Sequence, residues 1–311
     1  MPDKSDTLGS ASDPAAPAPQ TLAKLHELLH AIEAGRSPIG LGKAARHVLG
    51  ALLTAPEQAA FSTISELAAR HSVSASTLSR LSRRLGYAGF AQLQEVFRRS
   101  LTRDKGFYSD QVSRLLEEDA AHGGLARLAE LARQESANLA DLAATIDAES
   151  LAGSAEMLAT ARRVRIHGVR QFSSLAMFMA YGLGMLRSDA AILDGSRQGV
   201  ADALAQLDEG DVLVVVSCYP YTPSVLATAD VAARHDIRVI ALTDAIGSPL
   251  CASAVHSFQV PNHSLFFSNS MCAFTLLVEA LLSETASVLG DTGLVALKRR
   301  ERLIGELKAS L

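Results

Sequence analysis

Past residue 163 the chain changes texture, and that change restricts its fold more than any other feature. Short runs of β-branched and aliphatic residues begin to alternate with helical stretches. The runs at 164–167, 190–193, 212–217, 239–243 and 257–260 read as strands. Residues 212–216 are Val-Leu-Val-Val-Val, apolar at every position. A strand with one wet face alternates, so an unbroken apolar run predicts a central parallel strand covered on both sides. Helical spacing occupies 174–186, a shorter stretch near 198–206, 223–235 and 268–289. Such alternation builds a doubly wound parallel sheet, here of five strands.

Residues 21–101 carry no such runs. Helical periodicity instead covers 21–34, 41–53, a short segment from Pro56, 62–71, 75–85 and 90–101. Two amphipathic stretches, 125–144 and 151–159, lead into the sheet, and a basic amphipathic one, 294–311, ends the chain. The fold class is therefore α + α/β. A helical domain over 21–105 and a sheet domain over 125–290 are expected, with a linker at 106–124 and a C-terminal helix at 291–311. The first 20 residues, rich in Ala, Pro and Ser, read as a disordered tail and lack the apolar core of a signal peptide.

The formal net charge of −4 argues by itself against a nucleic-acid binder. Its distribution reverses that reading. Residues 21–107 hold 12 Lys and Arg against 6 Asp and Glu, whereas residues 108–311 hold 16 against 24. A basic head on an acidic body is expected where one domain meets phosphate backbone and the other does not. No uninterrupted apolar run approaches the ~18 residues of a membrane span, so no membrane partner is expected. The three cysteines, Cys218, Cys251 and Cys272, sit at no metal-ligand or redox-pair spacing and read as reduced thiols of a cytosolic protein. No cofactor and no metal are expected.

Residues 62–85 have the pattern of a helix-turn-helix: two short helices crossing steeply around a small apolar knot. Leu67, Ala68, Val73, Leu78 and Leu81 supply the knot, and Ser74 is placed to cap the second helix. The outward face then carries Ser76, Thr77, Ser79, Arg80 and Arg83, hydroxyls and guanidiniums of the kind that read base edges and phosphates. Arg80 and Arg83 are the candidates for direct contact, and Arg84, Lys43 and Arg46 for phosphate. The alternative is an ordinary helical pair with a solvated arginine face. The stretch Ser65-Glu66-Leu67-Ala68, Val73-Ser74, Ser76-Thr77, Arg80, Leu85-Gly86-Tyr87 and Gly89-Phe90 resembles the DNA-binding domain of the RpiR family of bacterial transcription regulators. Physically, Gly86 is suited to end the second helix in a left-handed conformation. Tyr87 and Phe90 would then fold the exit back onto the knot.

In a parallel sheet, ligands sit at the carboxyl ends of strands, where helix N-termini favour anions. Two loops qualify. One runs from Gly168 through Arg170 to Ser173 and Ser174; the other is Ser217-Cys218-Tyr219-Pro220-Tyr221-Thr222, followed by Pro223 and Ser224. Their hydroxyls, at Ser173, Ser174, Ser217 and Thr222, are expected to converge, although Ser and Thr at helix starts are more often simple caps. The order of both loops, with Thr243 and Ser248-Pro249-Leu250 after the fourth strand, resembles the sugar isomerase (SIS) domain that RpiR regulators carry. The resemblance implies a small-molecule effector, such as a sugar phosphate or another anionic metabolite.

The second loop departs from the Ser-x-Ser-Gly-x-Thr usual in phosphosugar-binding SIS domains. The second Ser and the Gly are lost, and Pro220 removes an N–H donor. In the first loop Arg170 stands where a second Gly is common and Phe172 replaces a Ser. Arg170 could offer a guanidinium fork to an anion, with Tyr219 and Tyr221 lining the pocket. Alternatively Arg170 pairs with an acid such as Asp194, and the tyrosines are packing.

His167, His263 and Glu279 have no partnered nucleophile in the sequence, so no catalytic residue is assigned. Asn262, His263, Ser264 and Ser268 could close the pocket, and Lys298, Arg299, Arg300 and Arg302 read as a solvated helix face. The reading is a ligand-responsive regulator that is not an enzyme and binds double-stranded DNA as a dimer or tetramer. The helices at 125–144 and 268–289 are nominated for the interface. Two rivals stand beside it: a phosphosugar isomerase with an appended helical domain, and a dimerising scaffold whose SIS domain is empty.

Overall fold

The computed structural model describes residues 18–33, 35–103, 108–109, 111–113, 124–195 and 199–308. Most of the expected tail and linker lies outside these residues. The chain divides into two compact units, residues 1–45 with 55–103 and residues 46–54 with 104–311.

The first unit is helical. Its helices are α1 (Leu22–Glu33), the start of α2 (Lys43–Thr54), α3 (Pro56–Phe61), α4 (Ile64–Arg70), α5 (Ala75–Arg84) and α6 (Phe90–Arg103). α6 packs on α1, α3 and α5, and α4 packs on α5. Leu25, Leu29, Ala60, Leu67, Leu78, Leu85, Leu93 and Phe97 fill this core. One polar residue stitches it. Gln94 lies buried on α6, and its Nε2 donates to the carbonyls of Ala59 (3.0 Å) and Ser62 (2.8 Å) at the end of α3. Arg98, a turn later, donates to the Ala60 carbonyl. The last carbonyls of a helix have no partner within it, so these two side chains close α3. Arg98 is thus one of the basic residues of this region with a structural use.

The second unit holds α7 (Gly124–Thr145), α8 (Ala148–Thr160), β1 (Val164–Gly168), α9 (Phe172–Leu186), β2 (Ala190–Ile192), α10 (Val200–Leu204), β3 (Val212–Val216), α11 (Pro223–Arg234), β4 (Arg238–Thr243), β5 (His256–Gln259), α12 (Cys272–Leu289) and α13 (Asp291–Glu306). The five strands are parallel, in the order β2-β1-β3-β4-β5. Every residue of β3 is buried, as its sequence required. Val212, Val214 and Val216 face a core shared with α8, α9 and α12; Leu213 and Val215 face a second core with α10 and α11. The chain order reverses between β1 and β3, and their carboxyl ends, Gly168 and Val216, lie side by side. That reversal is the crevice where doubly wound sheets bind ligands.

α12 bears on two expectations. By length and composition it is apolar enough to cross a membrane: 18 residues of mean hydropathy 1.6. Its apolarity has another cause. Ala273, Phe274, Leu277, Val278 and Leu281 are buried in the sheet core, and the helix packs against α7, α8 and α9. It also starts at Cys272 and not at Ser268, because the preceding segment is held by local polar bonds. The Ser270 N–H donates to the Asn262 carbonyl (3.2 Å) and Asn262 Nδ2 to Asn269 Oδ1 (3.2 Å). Such side-chain bonds compete with helix formation.

The amino-terminal edge of the sheet is held by ions. The Asp211 carboxylate is buried and accepts from Arg162 Nη2 (3.1 Å) and from the N–H groups of Arg163 (3.1 Å) and Asp208 (2.9 Å). Arg187 fans its two Nη atoms over the carbonyls of Leu158, Ala159, Ala161 and Arg162, which closes the end of α8.

Candidate DNA-reading face and ligand loops

α4 begins with a complete capping box. Thr63 Oγ1 accepts from the Glu66 N–H (3.2 Å) and Glu66 Oε2 from the Thr63 N–H (2.7 Å). The turn passes through Ser72 at φ 53°. Ser74 Oγ then accepts from the Thr77 N–H at 3.2 Å and starts α5. Ser74 also contacts the hydroxyls of Ser76 (2.8 Å) and Thr77 (2.9 Å), so its oxygen is spent on the cap. Leu78 and Leu81 face inward with Leu67 and Ala68, while Val73 is half-buried. Ser82 is also fully buried and donates to the Leu78 carbonyl (2.9 Å); nothing in the pattern of α5 marked it as core.

The opposite side of α5 is open. Ser76, Arg80, Arg83 and Arg84 are exposed and Ser79 is half-exposed. Arg80 Nε folds back to the Ser76 carbonyl at 3.3 Å, which leaves its terminal nitrogens outward. Of the two residues from α2, Lys43 is exposed, whereas Arg46 is half-buried with its Nε enclosed. Gly86 takes φ 93°, and Tyr87 and Phe90 are buried after it, as the tail of the motif requires. The Tyr87 hydroxyl donates to the Pro19 carbonyl, which places the last described residues of the tail against the motif's exit.

At the carboxyl edge of the sheet, the β1–α9 loop turns through Arg170 at φ 58°. A side chain on Gly168 would put its Cβ 2.6 Å from the Phe172 carbonyl oxygen, so the turn needs glycine there. Arg170 is exposed, and its guanidinium lies 5.2 Å from the centre of the Tyr108 ring. Ser173 and Ser174 are exposed and donate to the carbonyls of Arg170 (2.7 Å) and Gln171 (2.8 Å). The two serines therefore bond within their own loop. Phe172 turns inward against Phe274, 5.0 Å between ring centres.

The β3–α11 loop is bound to the end of β4. Asp244 is 2% exposed. Its Oδ2 accepts from the Tyr219 N–H (3.1 Å), and its Oδ1 accepts from the hydroxyls of Tyr221 (2.7 Å) and Thr243 (3.3 Å). The Tyr219–Pro220 bond is cis, and the two tyrosine rings meet edge to face. Ser217 is buried, and its hydroxyl accepts from the Thr222 N–H (3.2 Å). Thr222 precedes α11 without capping it. Burial pushes the Cys218 thiol and the Tyr221 phenol well above their usual ranges, and the Asp244 charge pushes both further. His167 is buried at the end of β1, its Nε2 without a partner among the described residues, and burial lowers its pKa. Ser268 donates to Gln171 Oε1, and Asn269 Nδ2 to the Tyr219 carbonyl (2.9 Å). The segment before α12 is thus tied to both loops.

Sequence reading missed Asp244, Gln171 and Asn269. Asp244 had a usable signal: it follows the strand residue Thr243 directly, at the edge where ligands bind. Gln171 and Asn269 had none, since amides in loops are ordinary. Among the described residues no three His, Cys, Asp or Glu side chains gather as a metal site.

A helix-turn-helix with an open arginine and hydroxyl face, followed by a doubly wound SIS-type sheet, defines a DNA-binding transcription regulator. Comparison with known proteins agrees. Residues 27–103 match the helix-turn-helix domain of the rpiR family, and residues 157–284 match the SIS domain. The HTH-type transcriptional regulator HexR of Escherichia coli is 25% identical over 219 residues, 69% of this chain and 71% of its own length. HexR of Pseudomonas aeruginosa is 26% identical over 226 residues, 71% and 75%. Two solved structures share the fold. The sugar isomerase domain of an RpiR transcription factor from Sphaerobacter thermophilus (TM-score 0.53, 24% identity) covers 56% of this chain and 97% of its own. The Vibrio vulnificus NanR protein complexed with ManNAc-6P (TM-score 0.54, 22% identity) covers 91% and 100%. The chain belongs to the RpiR family of transcription regulators.

Proposed function

We propose that this regulator reads DNA through α5, senses a carbohydrate derivative at the carboxyl edge of its sheet, works as a homo-oligomer in the cytoplasm, and catalyses nothing itself. The observation that carries the reading is the division of α5. Leu78, Leu81 and Ser82 are buried, while Ser76, Arg80, Arg83 and Arg84 stand in solvent. The side chains of Arg83 and Arg84 have no hydrogen bond or ion pair among the described residues. An unneutralised guanidinium face is suited to phosphates and guanine edges.

The roles divide by geometry. Ser74 positions the helix; Ser76, Ser79, Arg80 and Arg83 face the groove; Lys43 and Arg84 meet the backbone. On the sheet, Arg170, Tyr219, Tyr221 and Thr222 border the ligand. A ligand can shift DNA affinity only as far as it binds two states unequally. The non-catalytic reading rests on the regulator relatives and on the loops' polar groups, which bond one another.

The test is selective retention of genomic fragments by the wild type and by the Arg80→Ala plus Arg83→Ala double variant. Retention lost in the variant supports the reading, and equal retention removes it. Screening sugars and sugar phosphates by thermal shift tests the sensor, and turnover of any aldose or ketose phosphate would restore the isomerase alternative.

A further inference from the structure

We infer that the β3–α11 loop meets its ligand with an uncharged, hydroxyl-bearing part, because Asp244 already fills the loop's anion position from within. The inference deepens the proposed sensing role and rests on it. A phosphate-binding loop at the end of a parallel strand works through free backbone N–H groups and the absence of nearby negative charge. This loop is poor in the first and lacks the second. The Tyr219 N–H is committed to Asp244 Oδ2 at 3.1 Å, and the Thr222 N–H to Ser217 Oγ at 3.2 Å. Pro220 and Pro223 have no N–H to give.

Asp244 is an integral part of this arrangement. Only 2% of its surface is exposed, and three donors from two segments converge on it: one backbone N–H and two hydroxyls. Burial is the larger cause of the raised Cys218 thiol and Tyr221 phenol, and the Asp244 charge adds to both. A phosphate entering here would face a fixed like charge at short range, which costs affinity and is a means of rejecting the wrong ligand.

What the loop offers instead is neutral. The Thr222 hydroxyl does not cap its helix, and the half-buried rings of Tyr219 and Tyr221 form an edge-to-face pair. Hydroxyl and aromatic surface together suit the hydroxyls and C–H faces of a sugar or polyol. Asp244 is a positioning residue. It holds both tyrosines and sets the sign of charge the site refuses.

Isothermal titration of the full chain with glucose, fructose, N-acetylglucosamine and inositol, each beside its monophosphate ester, tests this. For whichever pair binds, the parent compound is expected within tenfold of its ester or tighter. Asp244→Asn, which keeps the shape and removes the charge, is expected to tighten the ester by about tenfold or more. The effect is read as the ester-to-parent affinity ratio on the same variant, because the amide also removes one of the acceptors that hold the tyrosines. An ester more than tenfold tighter than its parent on the wild type overturns the inference without any variant. An ester-to-parent ratio unmoved or lowered in folded Asp244→Asn overturns it too. Either result leaves the sensor standing with a phosphate ligand. Silence from every compound removes the sensing role and the inference together.

Discussion

At the residue scale, charge decides most. Two exposed arginines on α5 should each release counterions on binding DNA. Arg80→Ala plus Arg83→Ala is expected to flatten the plot of log affinity against log salt by about two units, with the fold retained. A loss of affinity at unchanged slope would place these side chains away from the phosphates. Asp211 is a different kind of charge. Burial pushes its carboxyl up, but Arg162 and the N–H groups of Asp208 and Arg163 together outweigh that and hold it below the usual range. A depressed folded value means the contribution is full above the unfolded carboxylate value of about 3.9 and fades as pH falls through the folded one. Asp211→Asn should therefore cost about 2 kcal/mol at pH 7, and urea midpoints of variant and wild type should converge below about pH 4. The exposed arginines were legible in the sequence because helical spacing assigns them a face. Asp211 was not, and Asp244 only through its place directly after a strand, since a lone Asp in a loop reads as solvated until its partners, tens of residues away, are known.

At the element scale, the sequence specified what exists better than where it ends. All five strands fall on the runs read from the sequence, β3 from its lack of alternation, although β2 (Ala-Ala-Ile) and β5 (His-Ser-Phe-Gln) carry few β-branched residues. The start of α12 was misplaced because apolar periodicity does not register side chains such as Asn262 and Asn269 that bond locally and hold off the helix. Caps, by contrast, leave a signature. Ser74→Ala removes the oxygen that accepts the Thr77 N–H and should lower stability by about 1 kcal/mol, read as a shift in the thermal midpoint, while specific DNA contact survives at lower temperature. Gly168→Ala should do more. Its Cβ would meet the backbone oxygen of Phe172 at 2.6 Å, and backbone cannot yield as a side chain can. A loss of about 1–3 kcal/mol is expected, with ligand response lost ahead of DNA binding.

For the whole molecule, the proposed homo-oligomer requires a surface that joins two copies, because a two-fold protein would read two half-sites. Periodicity nominated residues 125–144 and 268–289, but it reports apolarity and not which side stays uncovered. α12 spends most of its apolar surface on the core. The exposed apolar residues instead collect on α9, with Met177 at 61% and Tyr181 at 59%, and on the adjacent α13, with Val295 at 65%. Arg300 of α13 lies over the Tyr181 ring at 4.9 Å, so the two helices present one face. α7 offers a competing patch, Leu125 at 84% and Leu128 at 62%. Contiguous apolar surface on a folded domain marks an interaction site, and the face on α9 and α13 is built from two helices packed together. Met177→Glu plus Tyr181→Glu should therefore yield monomers in sedimentation and weaken operator binding by at least about tenfold, since each reading head then binds alone. Leu125→Glu plus Leu128→Glu should leave the assembly intact. The reverse outcome would move the two-fold axis to α7.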